Sequence, residues 1–248
     1  MSVALALSLS LLMICTSLLS GVFGMAGGLI LVGVLLVVMP LPQAMVLHAV
    51  TQMASNGWRA LLWRQHIVWK LTLANLVGSV LSVGLWSIWL YVPDKAVALL
   101  LLGLSPFVVR TIPESVLPRR LDTGQMLGGS AVCMMLMLTS GVTGPLLDTL
   151  FLRSNLGRKE IIATKAACQL FNHGLKLVYF GLLVEQSGSV EPWFLGVAIA
   201  ASMLGTSLGK LLLERLSDTQ FRAWSNRIIT VLATYYVGYG LALLTNLA

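Results

Sequence analysis

The sequence predicts an all-α polytopic membrane protein built from two inverted-topology repeats. Each repeat reads as a broken-helix hairpin followed by three transmembrane helices. Three observations carry this. First, the 248 residues are 57% hydrophobic and 10% charged, with a mean hydropathy of +0.89, against about 25% charged in a soluble domain. Second, the apolar runs are long and continuous, as from Leu71 to Leu90. They lack the alternation of a β-barrel, so the spans are helices, whose backbone hydrogen bonds close internally. Third, one polar stripe occurs twice. His48, Gln52, Ser55, Asn56 and Arg59 stand at i, i+4, i+7, i+8 and i+11, and Lys165, Gln169, Asn172, His173 and Lys176 repeat the pattern.

Helical segments are expected at 3–20, 26–38, 44–63, 69–91, 94–110, 122–140, 144–152, 159–182, 191–213 and 220–246. The first lacks a basic leader and a small-x-small site before a soluble domain, so it reads as a retained helix. Segments 26–38 and 144–152 are short for spans. Each follows a Gly-x-x-Gly break, Gly21-Val22-Phe23-Gly24 and Gly141-Val142-Thr143-Gly144, and reads as the second limb of a hairpin. Glycine permits such a turn. Segments 44–63 and 159–182 carry the stripes. Asn75-x-x-Gly78 and Ser202-x-x-Gly205 give the fourth helix of each half a small-residue packing face. Trp63, Trp69, Trp86, Trp89, Trp193 and Trp224 lie near helix ends and read as an interfacial belt. Cys15, Cys133 and Cys168 have no ligand spacing and read as small buried hydrophobes.

The net charge of +7 reports orientation here, not nucleic-acid binding. Basic residues gather at Arg59, Arg64 and Lys70. They gather again at Arg110, Arg119 and Arg120, at Arg153, Arg158 and Lys159, and around Lys210, Arg215, Arg222 and Arg227. These regions are expected on the cytoplasmic side. The connections at 39–43, 92–95 and 183–191 are poor in cations and are expected outside. This gives a first repeat at 1–112, a cytoplasmic linker at 113–121 and a second repeat at 122–248. Both termini are external, and the protein sits in the inner membrane. Inverted repeats with broken helices meeting at the midplane are a recurrent secondary-transporter design.

The residues also carry a resemblance. The runs are Gly21-x-x-Gly24-x-Ala26-Gly27-Gly28, Gly141-Val142-Thr143-Gly144-Pro145-Leu146-Leu147-Asp148, Thr164-Lys165-Ala166 and Lys176-x-x-Tyr179-Phe180-Gly181. They resemble the TauE/SafE (sulfite exporter, TSUP) family over nearly the whole chain. The family usually has a third glycine where Ala26 stands and a proline where Gly33 stands. It often has Gly-Thr-Ser near Leu47-His48-Ala49. The resemblance implies an exporter or permease for sulfite, sulfoacetate or related small organosulfonates and carboxylates.

Such an anion needs cations, amide donors and helix N-termini. The candidate binding residues are Gly24, Gly27, Gly28, His48, Gln52, Asn56, Gly144, Lys165, Gln169 and Asn172. Lys165 is the leading cationic contact, with snorkelling to the interface as its alternative. Asp148 is the one acidic residue away from loops and helix ends. It is a candidate for coupling or gating, or for a structural pair with Lys165. Arg59 and Lys176 are further gating candidates, Arg59 with an anchoring role as its alternative. The amides have interhelical bonding as their alternative role, and His48, His66 and His173 have simple packing. The middles of the two stripes are expected to meet at the midplane. A proton or sodium ion is the expected coupling partner, alongside the lipid bilayer. A homodimer is left open.

No HExxH, Gly-x-Ser-x-Gly or P-loop is present, so no catalytic residue, metal or cofactor is expected. The leading reading is a secondary transporter of a small sulfur-containing anion. The alternatives are an anion channel or a permease for a different carboxylate or oxyanion. An intramembrane enzyme ranks last.

Overall fold

Each polar stripe lies on a long helix whose outward face is apolar, and the rest of the fold is arranged around those two helices. The structure is a computed structural model and describes residues 3–23, 26–113, 121–152, 154–183, 190–213 and 218–245. Among the described residues every regular element is helical. The helices are α1 (Val3–Phe23), α2 (Ala26–Val38), α3 (Leu41–Leu62), α4 (Trp69–Ser87), α5 (Lys95–Thr111), α6 (Thr123–Ser140), α7 (Gly144–Leu152), α8 (Arg158–Val178), α9 (Pro192–Leu213) and α10 (Asp218–Leu244). A 3₁₀ turn at Arg64–His66 follows α3, and a π-helical turn at Tyr179–Leu183 extends α8.

Local chemistry explains several of the boundaries. Pro42 stands in the first turn of α3, where its missing N–H costs nothing. At α6, Asp122 accepts from the Gln125 backbone N–H at 2.8 Å, and the Gln125 side chain accepts from the Asp122 backbone N–H at 3.1 Å. That reciprocal pair satisfies two orphan donors. Gly141 ends α6 in the left-handed region, with φ +82°.

The two expected breaks differ. α6 stops at Ser140, as its glycine signal implies. α1 instead runs through Gly21 to Phe23, and α2 begins at Ala26. Gly21 does not turn the chain. It packs helix on helix, since a Cβ there would stand 3.1 Å from Gly209 Cα of α9. Gly24 lies outside the described residues, as do 114–120 of the expected linker.

The burial pattern is inside out for a soluble protein. Leu7, Leu11, Leu73, Leu81, Ile88, Leu182, Leu211 and Val231 are exposed, while Thr16, Ser17, Thr72, Asn75, Ser79, Ser130, Thr164 and Ser202 are buried. An apolar exterior of this extent needs lipid around it. Three helical stretches among the described residues are long and apolar enough to cross a membrane by composition alone: Val3–Val22, Pro192–Leu211 and Arg227–Leu244. α3 and α8 are long enough, at 22 and 21 residues, or about 33 Å. Their inward polar stripes lower their average hydropathy.

Helices pack in four principal pairs: α1 on α9, α4 on α6, α3 on α8, and α5 on α10. α1 and α9 run parallel, with Ile14 against Gly205 and Gly21 against Gly209. α4 and α6 are also parallel, with Gly78 against Leu127 and Ser82 bonded to the Ala131 carbonyl. α3 and α8 run antiparallel, with His48 beside Lys176 and Gly57 against Leu170. α5 and α10 are antiparallel too, with Gly103 against Ala233 and Gly240 against Leu100.

Some expectations need correction. Cys15 is exposed on the outer face of α1, whereas Cys133 and Cys168 are buried. Trp69, Trp89, Trp193 and Trp224 are exposed, but Trp63 and Trp86 are half buried. Trp63 lies under Lys159 and Lys210, at 5.8 and 5.7 Å from its ring centre. Gly33 faces the ring of Tyr236, whose hydroxyl would be 2.1 Å from a Cβ there. A proline at this position would collide with that ring.

Candidate functional site

The stripe residues of α3 are all buried, from 0% exposure at His48 to 8% at Arg59. Their i, i+4, i+7, i+8, i+11 spacing keeps them on one face. α8 lies antiparallel across that face, so the start of one stripe meets the end of the other. A polar seam results, with different chemistry at its two ends.

At one end stands His48. Its Nε2 lies 3.1 Å from the carbonyl oxygen of Gly28, at the start of α2. A carbonyl only accepts, so Nε2 carries the proton and Nδ1 accepts. The donor to Nδ1 is Lys176 Nζ of α8, at 2.7 Å. Lys176 Nζ also donates to the Gly141 carbonyl at 3.1 Å and meets Met45 Sδ at 3.8 Å. The ammonium thus has three acceptors around it, is 0% exposed, and has no carboxylate among them. His173 packs edge-on to His48 with ring centres 5.3 Å apart. α2, α3, α6 and α8 are thereby drawn together at one point.

At the other end, Lys165 of α8 pairs with Asp148 of α7. Their side chains are 17% and 22% exposed. Asp148 also lies within electrostatic reach of Arg59. Lys165 is therefore an ion-pair partner in the seam, not a snorkelling anchor. Arg59, whose alternative role was an interfacial anchor, is buried as well. Its Nη1 donates to Asn56 Oδ1 at 3.5 Å, and its Nη2 is buried without a partner.

The middles of the stripes lie along the α3–α8 contact, where Gly57 packs against Leu170 and Gly174 against Met53, and their amides bond elsewhere. Asn56 Nδ2 donates along its own helix, to the Gln52 carbonyl at 2.9 Å and to Gln52 Oε1 at 3.4 Å. Asn172 turns to α4, where Asn75 Nδ2 and Ser79 Oγ donate to its Oδ1 at 2.8 and 2.9 Å. That residue is consumed by helix packing. Ser55 plays the matching part on the other side, 2.7 Å from Thr206 of α9. Gln52 Nε2 and Gln169 Oε1 remain buried and unpartnered.

The first turn of α2 lies against this seam, with Gly28 beside His48 and Gln52. At α2, a Cβ on Gly27 would stand 1.8 Å from the Thr16 carbonyl and 2.4 Å from Ser20 Oγ. Only glycine allows that approach of α2 to α1. Gly28 faces the side-chain amide of Gln52, at 3.4–3.7 Å from its own Cβ position. Ser17 Oγ and Ser20 Oγ nearby have no partner. At α7, which begins at Gly144, Thr143 Oγ1 is buried and unpartnered. Unpaired buried donors and a helix N-terminus together suit an oxyanion.

The stripe residues were legible in the sequence. Ser20, Thr143, Asn75 and Ser79 were not singled out for the site, although two of them sit beside the glycine breaks. The Gly141 carbonyl and Met45 leave no sequence signal as partners of a lysine. Among the described residues no cluster of His, Cys, Asp or Glu could hold a metal ion.

The sequence profile of the family described as sulfite exporter TauE/SafE matches residues 9–236. No curated protein and no solved structure matches the chain. With a match over nearly its whole length, an all-helical fold with an apolar exterior and a buried polar seam, the chain belongs to the TauE/SafE sulfite exporter family of membrane transport proteins.

Proposed function

We propose that this protein is a secondary transporter that carries a small sulfur-containing anion, such as sulfite or sulfoacetate, out of the cell by alternating access. The observation that carries this is the charge and donor inventory of the seam. Arg59 and Lys165 lie by one carboxylate, Asp148, while Lys176 stands at the far end of the seam with no carboxylate among the acceptors around it. Basic side chains outnumber the carboxylate along the seam, and orphan donors from Gln52 and Arg59 stand beside them. Buried cations are costly unless paired, and a bound anion would pair them. Gly27, Gly28, Gln52 and Gly144 line the two helix N-termini of the binding region. Gln169 and Lys165 extend it, and Asp148, Arg59 and Lys176 control its ends.

Helix packing supports an inverted repeat. Exchanging α1–α5 with α6–α10 turns the α1/α9 pair into α6/α4 and leaves α3/α8 and α5/α10 as they are. Helices paired with their own counterparts run antiparallel. The relating axis then lies across the helices, in the membrane plane. The relative directions also agree with the loop charges, which put both termini outside an inner membrane.

The difference in exposure favours alternating access over a channel. The His48–Lys176 end is sealed, and the Lys165–Asp148 end is partly open. Loop charges put the open end toward the cytoplasm, where an exporter would load. The test is flux of labelled sulfite through proteoliposomes. Saturable flux is expected, lowered roughly tenfold or more by Lys165→Ala, the cost of losing one charged contact. Non-saturating flux with single-channel currents would replace the transporter by a channel. No flux, together with no effect of Lys165→Ala, would end the reading.

A further inference from the structure

The orphan amide of Gln52 is not free to present either of its ends, and the reason lies one and two helical turns away. A guanidinium donates hydrogen bonds and cannot accept them. Arg59 Nη1 therefore takes the oxygen of Asn56, at 3.5 Å. This turns the NH₂ group of Asn56 toward Gln52. There it meets two oxygens, the backbone carbonyl at 2.9 Å and the side-chain Oε1 at 3.4 Å. Neither contact would survive a flipped Asn56, since two oxygens would then face each other. With Oε1 committed, Gln52 can offer the site only Nε2, which is buried and unpartnered. Gln52 is 5% and Asn56 6% exposed, so water does little to supply alternative partners. The whole amide lies against the Cβ position of Gly28, Oε1 at 3.4 Å and Nε2 at 3.7 Å, in the first turn of the 13-residue helix α2, where backbone N–H groups lack intrahelical partners; of the two ends only Nε2 is left unbonded.

We infer that Arg59 and Asn56 act as a hydrogen-bond relay that sets the charge selectivity of the transporter by locking Gln52 with its donor toward an oxyanion at the N-terminus of α2. Arg59 and Asn56 are positioning residues, and Gln52 Nε2 is the contact. The relay holds a donor where a loose glutamine could show either a donor or an acceptor. Anions gain a fixed partner, while cations and hydrogen-bond donors meet an N–H they cannot use. The second half lacks this device. The residues matching Asn56 and Arg59 are His173 and Lys176. Lys176 is committed to His48 and Gly141, and Gln169 keeps a buried acceptor unpartnered. The inference rests on the anion-transport reading and assigns the oxyanion contact to the first half.

The test is a double-mutant cycle on the purified full-length chain, reading sulfite affinity by calorimetry. Asn56→Asp offers Gln52 an acceptor, so the amide turns its Nε2 to residue 56 and its oxygen to the site. Sulfite binding is expected to weaken about tenfold or more, the scale of a lost hydrogen bond to a charged group. In a Gln52→Leu background there is no amide to turn, and adding Asn56→Asp is expected to change affinity less than about threefold. Equal penalties in the two backgrounds would mean that the new carboxylate acts by charge alone, and would overturn the relay. Arg59→Lys keeps a donor-only cation and is expected to hold affinity within about threefold of the parent, with an unchanged unfolding midpoint. A loss as large as that of Asn56→Asp would overturn it also. If Asn56→Asp does not fold, Asn56→Met unlocks the same amide and enters the same cycle. Absence of saturable sulfite binding by the unsubstituted chain would fail the transport reading and the relay with it. Binding with equal penalties would fail the relay alone.

Discussion

α3 and α8 carry the same polar stripe, and they use it in opposite ways. On α3, His48 and Ser55 reach other helices, but the rest of the stripe bonds to itself. Its Gln52, Asn56 and Arg59 form one chain of contacts along a single helix face. α8 spends its polar residues on neighbours: Lys165 on α7, Asn172 on α4, and Lys176 on α3 and the end of α6. The difference teaches that equal spacing does not give equal function. A stripe wired along its own helix can keep a donor spare for a ligand. A stripe wired to other helices ties the bundle together, and what it holds in reserve here, Gln169 Oε1 and His173 Nδ1, is not an amide or guanidinium donor. On the proposed anion-transport reading, α8 is the structural partner in the seam and α3 the ligand-facing one.

This contrast can be broken most sharply at Gly141, the anchor of α8 wiring. Gly141→Ala meets a left-handed backbone at φ +82°, and its Cβ would stand 2.8 Å from Met45 Sδ and 3.0 Å from Val32 Cγ2. Strain and overpacking add to about 3 kcal/mol. Thermal unfolding in detergent should show a loss of that size, and a neutral result would mean that the Lys176 hub is not rigid. The next effect is at Asn172. Asn172→Leu strands Asn75 and Ser79 and is expected to cost about 1–2 kcal/mol, the upper range for hydrogen bonds within membranes. The smallest is at Ser55, which has one such bond, to Thr206. Ser55→Ala is expected to cost about 0.6 kcal/mol by the same measurement. An equal or larger loss at Ser55 would erase the distinction between the two helices.

Much of the fold was legible because periodicity and composition act locally. The boundaries of α2, α6 and α7 followed from apolar runs, glycine and capping residues. The two stripes announced two buried faces. Arg59 was harder, because a basic residue near a helix end can reach outward or turn inward. Its distance from the end does not decide between them. Gly21 looked like a break and proved to be a contact, since a glycine can serve either purpose until its neighbour is known. Cys15 looked buried because it lies within a largely apolar segment. In a membrane protein an apolar side chain is as well placed against lipid as against protein, so hydropathy does not tell inside from outside.

By itself, the sequence determined the helical segments, the glycine end of α6, the duplicated polar faces and the excess of cations over carboxylates. Each is a property of residues near one another in the chain. Only the tertiary structure decided who meets whom. It brought His48 to Lys176 across 128 residues, turned Asn172 to Asn75, and left Gln52 and Arg59 with donors unused. Hydrogen bonds are directional and reach about 3 Å. A polar face therefore acquires its chemistry only when packing chooses the helix opposite it, and spacing along one chain does not carry that choice.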